Sequence, residues 1–264
     1  MQTGFVERDG YRLHYAVSGR NHAPALLLLH PLGASLEVWA PQLPMLEPYF
    51  RVIRYDVRGH GLSELSPGDP AARTMADYAA DAVAVLDAAQ APRAHWCGLS
   101  LGGQTAMWAA LHHAGRIRRL VLANTGPHLA PPSNWDDRIA TALSKGMGPL
   151  AEAVPARWFT AGFRERDKET VAKTVEMVRG TQPRGYAEAC AALRDTDLRH
   201  ELGSIAVPTL VIAGAQDAAT PVEYGEFMVE SIPGSDLLVL DAAHLSNVEQ
   251  PEDFGQALVD FLRD

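Results

Sequence analysis

The 264-residue chain contains only two cysteines, Cys97 and Cys190, which excludes a framework of disulfides. Cys97 belongs to a short apolar run and is expected to face the core. No apolar run approaches the length of a membrane-spanning helix, and the amino terminus lacks a charged and then apolar signal sequence. These absences predict a cytoplasmic protein with no membrane partner.

Positive charge is also scarce, since 23 Lys and Arg residues stand against 32 Asp and Glu residues, a net charge of −9. The one basic cluster, at Arg116, Arg118 and Arg119, flanks a predicted strand and is interpreted as a solvated edge. An acidic surface disfavours nucleic acid as a partner, although one or two local cations can still hold a small anionic substrate. No cluster of residues has metal-ligand spacing, so neither a metal nor an organic cofactor is expected.

The hydrophobic residues, 47% of the chain, follow an α/β pattern. Two alternating stretches, residues 4–8 and 11–17, are joined by Asp9 and Gly10, a pair typical of a tight hairpin. From residue 25 onward, apolar strands alternate with helical patterns. This alternation predicts a mostly parallel sheet flanked by helices.

The alternation breaks between Asn124 and about Val207. Short helices are predicted there, over residues 135–145, 150–158, 168–178 and 186–194. We therefore divide the chain into an α/β core, residues 1–124 and 207–264, and a helical cap, residues 125–206, inserted in the core. A cap over the sheet edge excludes bulk water and shapes the substrate pocket.

Residues 98–102, Gly-Leu-Ser-Leu-Gly, place Ser100 between a predicted strand and a predicted helix. A serine at so sharp a turn adopts strained backbone angles, and the flanking glycines remove Cβ atoms that would collide. Such a nucleophile elbow exposes the hydroxyl above the sheet, beside the N–H groups of the helix. Ser100 is therefore the predicted nucleophile.

A serine nucleophile needs a base and an orienting acid, which follow it along the chain in the order acid and then His. Asp217 comes just after an apolar strand at residues 208–213, and His244 lies in the loop after a strand at residues 237–240. Open α/β sheets carry their chemistry at this carboxyl edge of the strands. We assign His244 as the base and Asp217 as the residue that fixes its tautomer.

Asp217 has two competing interpretations. It could cap a helix that begins near Pro221, and Asp241 is a rival carboxylate that we expect in a turn with a buried polar partner. In some hydrolases the acid follows an earlier strand, but the residue at that place is the uncharged Asn124. This absence favours Asp217.

Two backbone N–H groups are expected to bind the oxyanion. One belongs to Leu101, the residue after the nucleophile. The other should come from the loop after the apolar strand at residues 25–29. Pro31 in that loop has no N–H group, so Leu32 is the predicted donor.

With these motifs the chain resembles the α/β-hydrolase superfamily over nearly its whole length, which implies an eight-stranded sheet. Residues 55–63, including His60, match a further family motif that is structural rather than catalytic. Several stretches are similar to the bacterial 3-oxoadipate enol-lactonases of aromatic catabolism, above all 135–139, 157–160, 190–195 and 242–251. The chain departs from those enzymes at His30 and Pro31, where they tend to have Ser and Asn, and at Leu101, where Met is usual.

The resemblance implies that Ser100 opens an enol lactone with a carboxymethyl arm, a small-molecule substrate, to give 3-oxoadipate without a cofactor. The substrate carboxylate would need a cation, for which the candidates are Arg138, Lys145, Arg157 and Arg194. Trp135 is a candidate apolar wall, and Gln104 could face the same pocket. We select Trp135 and Arg138 as the predicted substrate contacts.

Other functions would use the same core motifs. A carbon–carbon bond hydrolase or a general carboxylesterase has the same triad, so only the similarity of the cap favours a lactonase. Enzymes with a carboxylate nucleophile are disfavoured by Ser100. A ligand-binding protein that kept the fold and lost turnover is the alternative outside enzymes, because a fold alone does not establish a function.

Overall fold

The computed structural model describes residues 1–65, 67, 73–129 and 131–263. Its sheet has eight strands in the order β1-β2-β4-β3-β5-β6-β7-β8. The strands are β1 (Gln2–Arg8), β2 (Tyr11–Gly19), β3 (Ala25–Leu29), β4 (Arg51–Tyr55), β5 (Ala94–Leu99), β6 (Ile117–Ala123), β7 (Thr209–Gly214) and β8 (Asp236–Leu240). Among the strands that the structure describes, only the pairings β1–β2 and β2–β4 are antiparallel. The predicted mostly parallel, eight-stranded α/β-hydrolase sheet is confirmed.

Helices pack around this sheet. They are α1 (Leu43–Leu46), α2 (Met75–Ala88), α3 (Leu101–His112), α4 (Pro132–Lys145), α5 (Gly148–Glu152), α6 (Val154–Trp158), α7 (Ala161–Arg166), α8 (Lys168–Arg179), α9 (Pro183–Asp195), α10 (Val222–Ser231), α11 (Ser246–Glu249) and α12 (Pro251–Arg263). Among the described residues, no helix is both long and apolar enough to cross a bilayer.

Local sequence explains the first hairpin and the buried strands at the centre of the sheet. The β1–β2 hairpin turns at Asp9 and Gly10, which both have positive φ and pair Arg8 with Tyr11 across the turn, as predicted. The central strand β3 is five consecutive apolar residues, all buried, as expected for a parallel strand covered on both faces. Cys97 on β5 is fully buried and unpaired, so its predicted place in the core is confirmed.

The described residues between β6 and β7 form helices and connecting turns, and we refer to α4–α9 (residues 132–195) as the helical segment. The prediction of one helix over residues 150–158 is wrong, because the chain forms α5 and α6 with a break at Ala153. Pro155 lies in the first turn of α6, where its missing N–H is tolerated, and it cannot continue a preceding helix. The pattern also missed α7, a helix of only six residues capped by Thr160.

The parallel strands β5–β8 are neighbours in this order, so their carboxyl ends lie side by side. Each end is followed by a polar residue that the sequence analysis singled out: Ser100 after β5, Asn124 after β6, Asp217 after β7 and His244 after β8. The sheet topology therefore assembles residues that are far apart in the chain at one edge.

Candidate active site

Ser100 stands at the junction of β5 and α3 with φ 56° and ψ −112°, a region that costs a non-glycine residue about 1–3 kcal/mol. The two glycines beside it allow the turn to close. A Cβ on Gly98 would overlap the carbonyl of Gly102, and a Cβ on Gly102 would overlap the carbonyl of Leu29. The Ser100 N–H donates to Ala123 O on β6 at 3.0 Å, which fixes the turn against the neighbouring strand. These are the features of a nucleophile elbow.

His244 and Asp217 form a buried pair. The distance from His244 Nδ1 to Asp217 Oδ2 is 2.8 Å, and each residue is 4% exposed. Because an ionised carboxylate only accepts hydrogen bonds, Nδ1 carries the proton that is shared with Asp217. In the neutral ring, Nε2 is then left as the proton acceptor, which is the tautomer that a general base needs.

Asp217 is held by groups beyond the histidine. Its Oδ1 accepts from the N–H groups of Ala219, at 2.8 Å, and Thr220, at 3.0 Å. Its Oδ2 accepts from Thr220 Oγ1 at 2.6 Å. Burial alone would raise the pKa of Asp217, but the positive charge and hydrogen bond of His244, with the bonds from Thr220, outweigh burial and lower the pKa well below its usual value. Asp217 is thus a carboxylate built to stay ionised.

Asn124 joins the acid and the base from a third strand. Its Nδ2 donates to Asp217 Oδ2 at 3.0 Å and to the carbonyl of Ala243 at 3.2 Å, and its Oδ1 accepts from Ser246 Oγ at 2.5 Å. Sequence reasoning used Asn124 only as an absent charge and missed these contacts. The signal that could have indicated them is its position after β6, between the strands that carry Ser100 and Asp217.

Glu249 links the histidine loop to the helical segment. One carboxylate oxygen accepts from the Ala243 N–H at 2.8 Å, and the other accepts from Thr160 Oγ1 at 2.6 Å. Beside this link, the Leu245 N–H donates to the carbonyl of Trp158 at 3.1 Å. The Trp158 ring in turn lies 6.2 Å from the His244 ring, centroid to centroid. Thr160 and Glu249 lie in two of the stretches that are similar to enol-lactonases, but no sequence pattern had indicated that they contact each other.

Neither of the two predicted oxyanion donors has a backbone acceptor in the described part of the chain. Leu101 is the first residue of α3, so its N–H has no acceptor within the helix. Leu32 lies in the loop after β3, and in the described part of the chain its N–H donates to no backbone group. Leu32 also lines the cavity that contains Ser100.

A cavity of about 630 Å³ opens beside Ser100 and His244. The helical segment supplies much of its wall, including Trp135, Arg138, Arg157, Trp158 and Tyr186. Ser100 and His244 both line this cavity but are not hydrogen-bonded to each other, an arrangement common before substrate binds. The cavity therefore presents a serine, an oriented imidazole and two guanidinium groups.

Arg138 and Trp135, the predicted substrate contacts, lie together in the cavity wall. The Arg138 guanidinium carbon is 4.5 Å from the centre of the Trp135 ring. Trp135 itself is fixed by a hydrogen bond of 2.5 Å from its indole N–H to the carbonyl of Leu129. Burial raises the pKa of the adjacent Tyr186 hydroxyl, and Cys190 adds to that rise while the charge of Arg138 opposes it. Arg138 is thus oriented by aromatic groups.

Three other candidates for the pocket lie elsewhere. Lys145 is exposed at the end of α4, away from the cavity lining. Arg194 pairs with Asp136 at 2.8 Å and Asp195 at 2.7 Å on the surface. Gln104 points inward, because its Nε2 donates to the carbonyl of Gly126 at 2.9 Å and the residue is fully buried. Helical spacing alone did not distinguish these faces.

Asp241 and His60 both lie outside the cavity lining. Asp241 is exposed and accepts from Gln216 Nε2 at 2.8 Å, so its partner is exposed rather than buried as expected. His60 is fully buried, with its Nδ1 3.0 Å from the carbonyl of Arg58, as expected for a structural histidine.

Comparison with known proteins agrees with this geometry. A family model described as the alpha/beta hydrolase fold matches residues 24–251, and the chain belongs to this family. Two relatives come from Acinetobacter baylyi. The 3-oxoadipate enol-lactonase 2 is 39% identical over 246 residues, covering 93% of this chain and 91% of the relative. The 3-oxoadipate enol-lactonase 1 is 36% identical over 258 residues, covering 98% and 96%.

A solved structure of an enol-lactonase is also similar to this chain. The enol-lactonase from Burkholderia xenovorans matches with a TM-score of 0.95 and 40% identity, covering 99% of this chain and all of that chain. The resemblance to 3-oxoadipate enol-lactonases is therefore confirmed, and the chain is a carboxylic ester hydrolase.

Proposed function

We propose that this protein is a serine hydrolase that opens 3-oxoadipate enol-lactone to 3-oxoadipate through an acyl-enzyme on Ser100. The observation that carries the proposal is the Asp217–His244 pair at 2.8 Å, whose imidazole lines the same cavity as a serine on a nucleophile elbow. The similarity to enol-lactonases across the helical segment as well as the core supports this choice of substrate.

In the first half-reaction Ser100 Oγ attacks the ring carbonyl carbon and its proton passes to His244 Nε2. The oxyanion lies between the N–H groups of Leu32 and Leu101. The ring C–O bond then breaks, and the enolate oxygen leaves and takes the proton from His244. An enolate is a better leaving group than an alkoxide, so this step suits a lactone of an enol. The enol becomes the ketone of the product.

In the second half-reaction water attacks the acyl carbon and gives a proton to His244. The tetrahedral intermediate collapses, the product carboxylate is released, and the proton returns to Ser100 Oγ. Asp217 stays ionised throughout and stabilises the imidazolium that forms twice in the cycle. No step requires a metal or an organic cofactor.

We assign Arg138 to the substrate carboxylate and Trp135 to the wall against the lactone ring. The half-buried guanidinium over an aromatic face is well placed for a small carboxylate, because Arg presents a planar pair of donors. Residues 125–206 would act as a cap that closes this site from water. The lining of the cavity by helices α4, α6 and α9 supports the role of a cap.

The test is to generate the enol lactone from a muconolactone precursor and follow the loss of its ultraviolet absorbance. We expect rapid turnover by the wild type, and Ser100→Ala should lower kcat by at least about a thousandfold. Ser144→Ala, which changes an exposed serine on α4, is the matched control and should keep wild-type turnover.

Other outcomes separate the alternatives. Turnover of simple esters without turnover of the lactone would indicate a general carboxylesterase. Cleavage of a carbon–carbon bond in a vinylogous diketone would indicate the second alternative. Absence of turnover with the enol lactone, together with absence of turnover and of an acyl burst with chromogenic esters, would indicate a binding protein and contradict the proposal.

A further inference from the structure

We propose that His30 is a positioning residue that orients the Leu32 N–H toward the oxyanion. The inference rests on the proposed function, since it concerns the same site, and it arises from hydrogen bonds beneath the loop after β3. His30 is fully buried and does not line the cavity, whereas Leu32 does. His30 therefore acts on the reaction through the backbone between them.

The hydrogen bonds of His30 define its protonation state. The backbone N–H of Val57 donates to His30 Nε2 at 2.9 Å, so Nε2 must offer a lone pair. In the neutral ring the proton is then on Nδ1, which lies 2.8 Å from the carbonyl oxygen of Pro31. The Nδ1–H group therefore donates to Pro31 O. Complete burial lowers the pKa of His30, in keeping with a neutral ring.

The carbonyl of Pro31 receives a second hydrogen bond, from the N–H of Ala34 at 3.1 Å. Two donors thus hold this oxygen on the inner side of the loop. The Pro31 carbonyl and the Leu32 N–H belong to one planar peptide unit, in which the C=O and N–H bonds point in opposite directions. Fixing the oxygen inward consequently turns the Leu32 N–H outward, on the side where Leu32 borders the cavity.

Because of Pro31, the loop depends on the Leu32 N–H as its oxyanion donor. Pro31 has no N–H group, so it cannot itself contribute a donor to the oxyanion from this loop. The geometry of the second donor then depends on the rotation of a single peptide unit, which His30 and Ala34 hold. The pair of His30 and Pro31 is one of the places where this chain departs from the enol-lactonases, which tend to have Ser and Asn there.

Two substitutions separate the two hydrogen bonds of His30. The side-chain amide of His30→Asn reaches the position of Nδ1 and can still donate to Pro31 O, but it does not reach Val57. The oxygen of His30→Gln reaches the position of Nε2 and can still accept from Val57, while the donor to Pro31 O is lost. Both variants lose one hydrogen bond and remove the ring, so they are matched controls for each other.

We expect His30→Gln to lower kcat by about 10- to 100-fold and to leave KM within about twofold of the wild type. This loss of kcat is smaller than the loss of about 100- to 1000-fold that follows complete deletion of an oxyanion donor. His30→Asn should keep kcat within about threefold of the wild type. Affinity for a boronic acid, which forms a tetrahedral adduct with the serine, should fall with kcat in the Gln variant. If His30 had a merely structural role, kcat would fall alike in the two variants, and the boronate affinity of the folded protein would be unchanged.

A measurement on the wild type covers the case in which a variant does not fold. In a crystal structure of the boronic acid adduct, Leu32 N should lie about 2.7–3.1 Å from a boronate oxygen, with His30 Nδ1 still bound to Pro31 O. A Leu32 N–H that points away from the adduct, or equal kcat values for the Asn and Gln variants, would overturn the proposal. If the wild type hydrolyses only simple esters, the proposed substrate fails, and the same comparison of variants is made with p-nitrophenyl acetate.

Discussion

The side-chain amide of Asn124 donates a hydrogen bond to Asp217 Oδ2 at 3.0 Å, across 93 residues of sequence. Asn124 has φ 42°, a left-handed conformation that Asn adopts more readily than most residues. From this position it also reaches the carbonyl of Ala243, next to the histidine, and accepts from Ser246. One uncharged side chain thus connects the acid to the loop of the base.

We predict that Asn124→Ala lowers kcat by about tenfold and leaves KM nearly unchanged, because Asp217 would lose one donor and the histidine loop one anchor. The unfolding free energy should fall by about 1–3 kcal/mol, since buried polar partners are left unpaired and Ala is strained at positive φ. Steady-state kinetics with the enol lactone and urea denaturation measure the two effects. Asn21→Ala, at an exposed turn, is the control, and an Asn124 variant with the same kcat as this control would contradict the prediction.

Sequence reasoning placed Ser100, Asp217 and His244 because each depends on a local pattern. A buried apolar strand ends, a polar residue follows, and the topology of parallel strands brings such ends together. The contacts of Asn124, Glu249 and His30 depend instead on which side chains meet across the folded structure. Thr160 and Glu249 each lie in a stretch similar to enol-lactonases, but the two residues are 89 positions apart. A single sequence carries no signal of such a pairing.

In the helical segment, the sequence does not predict which helix faces border the cavity. Arg138, Lys145 and Arg194 all lie on amphipathic helices, α4 and α9, and their spacing does not tell which helix face borders the cavity. That choice depends on how the helices pack on one another. A different ambiguity affects residues 150–158, for which the sequence predicts one helix. In a sequence, a proline in the first turn of a new helix looks the same as a proline inside a longer helix.

Arg138→Gln should raise the KM for the enol lactone by about 10- to 100-fold with a smaller change in kcat. A hydrogen bond to a charged group contributes about 1.5–3 kcal/mol, and the substrate carboxylate is remote from the reacting carbon. The KM of Arg138→Lys should lie between the KM of the wild type and that of Arg138→Gln, because lysine keeps the charge and loses the planar pair of donors. Arg194→Gln removes a surface cation that is paired with Asp136 and Asp195, and its KM should equal that of the wild type. A normal KM in Arg138→Gln would rule out the assigned role.

His60 should make stability depend on pH. Its Nε2 is buried without a partner in the described structure, and burial, followed by the nearby His30, lowers the pKa of His60 to about 3 from an ordinary 6.5. Between these two values the unfolded chain binds a proton that the folded protein does not. The His60 contribution to stability is therefore complete above about pH 6.5 and is lost as the pH falls toward 3, with a slope of up to about 1.4 kcal/mol per pH unit.

His60→Asn removes this titration and keeps a donor near the carbonyl of Arg58. Urea denaturation between pH 7 and about pH 4.5 should show a slope that is shallower than the wild-type slope by up to about 1.4 kcal/mol per pH unit. His22→Asn, at an exposed histidine in a turn, should keep the wild-type slope. Identical slopes for all three proteins would show that His60 takes up its proton in the folded state.

Thr160 should affect the reaction through Glu249, although it does not line the cavity. Its hydroxyl donates at 2.6 Å to a carboxylate that also holds the Ala243 N–H, directly before the catalytic candidate His244. Thr170 makes a comparable bond of 2.7 Å to Asp167, but this bond is local to the start of α8. Both threonines are half-buried. The bonds of Thr160 and Thr170 are therefore similar, but of these two only the bond of Thr160 is connected to the histidine loop.

We expect Thr160→Val to lower kcat several-fold and the unfolding free energy by about 1–3 kcal/mol, because a buried carboxylate loses a donor and α7 loses its capping oxygen. Thr170→Val should lower stability by a similar or smaller amount and leave kcat unchanged. Thr160→Ser keeps the hydroxyl and should restore kcat, which separates loss of the hydrogen bond from loss of stability. Kinetics at a temperature well below the midpoint of unfolding of every variant give the comparison. If Thr160→Val and Thr170→Val have equal kcat, the bond between Thr160 and Glu249 only anchors the helical segment and does not affect the position of His244.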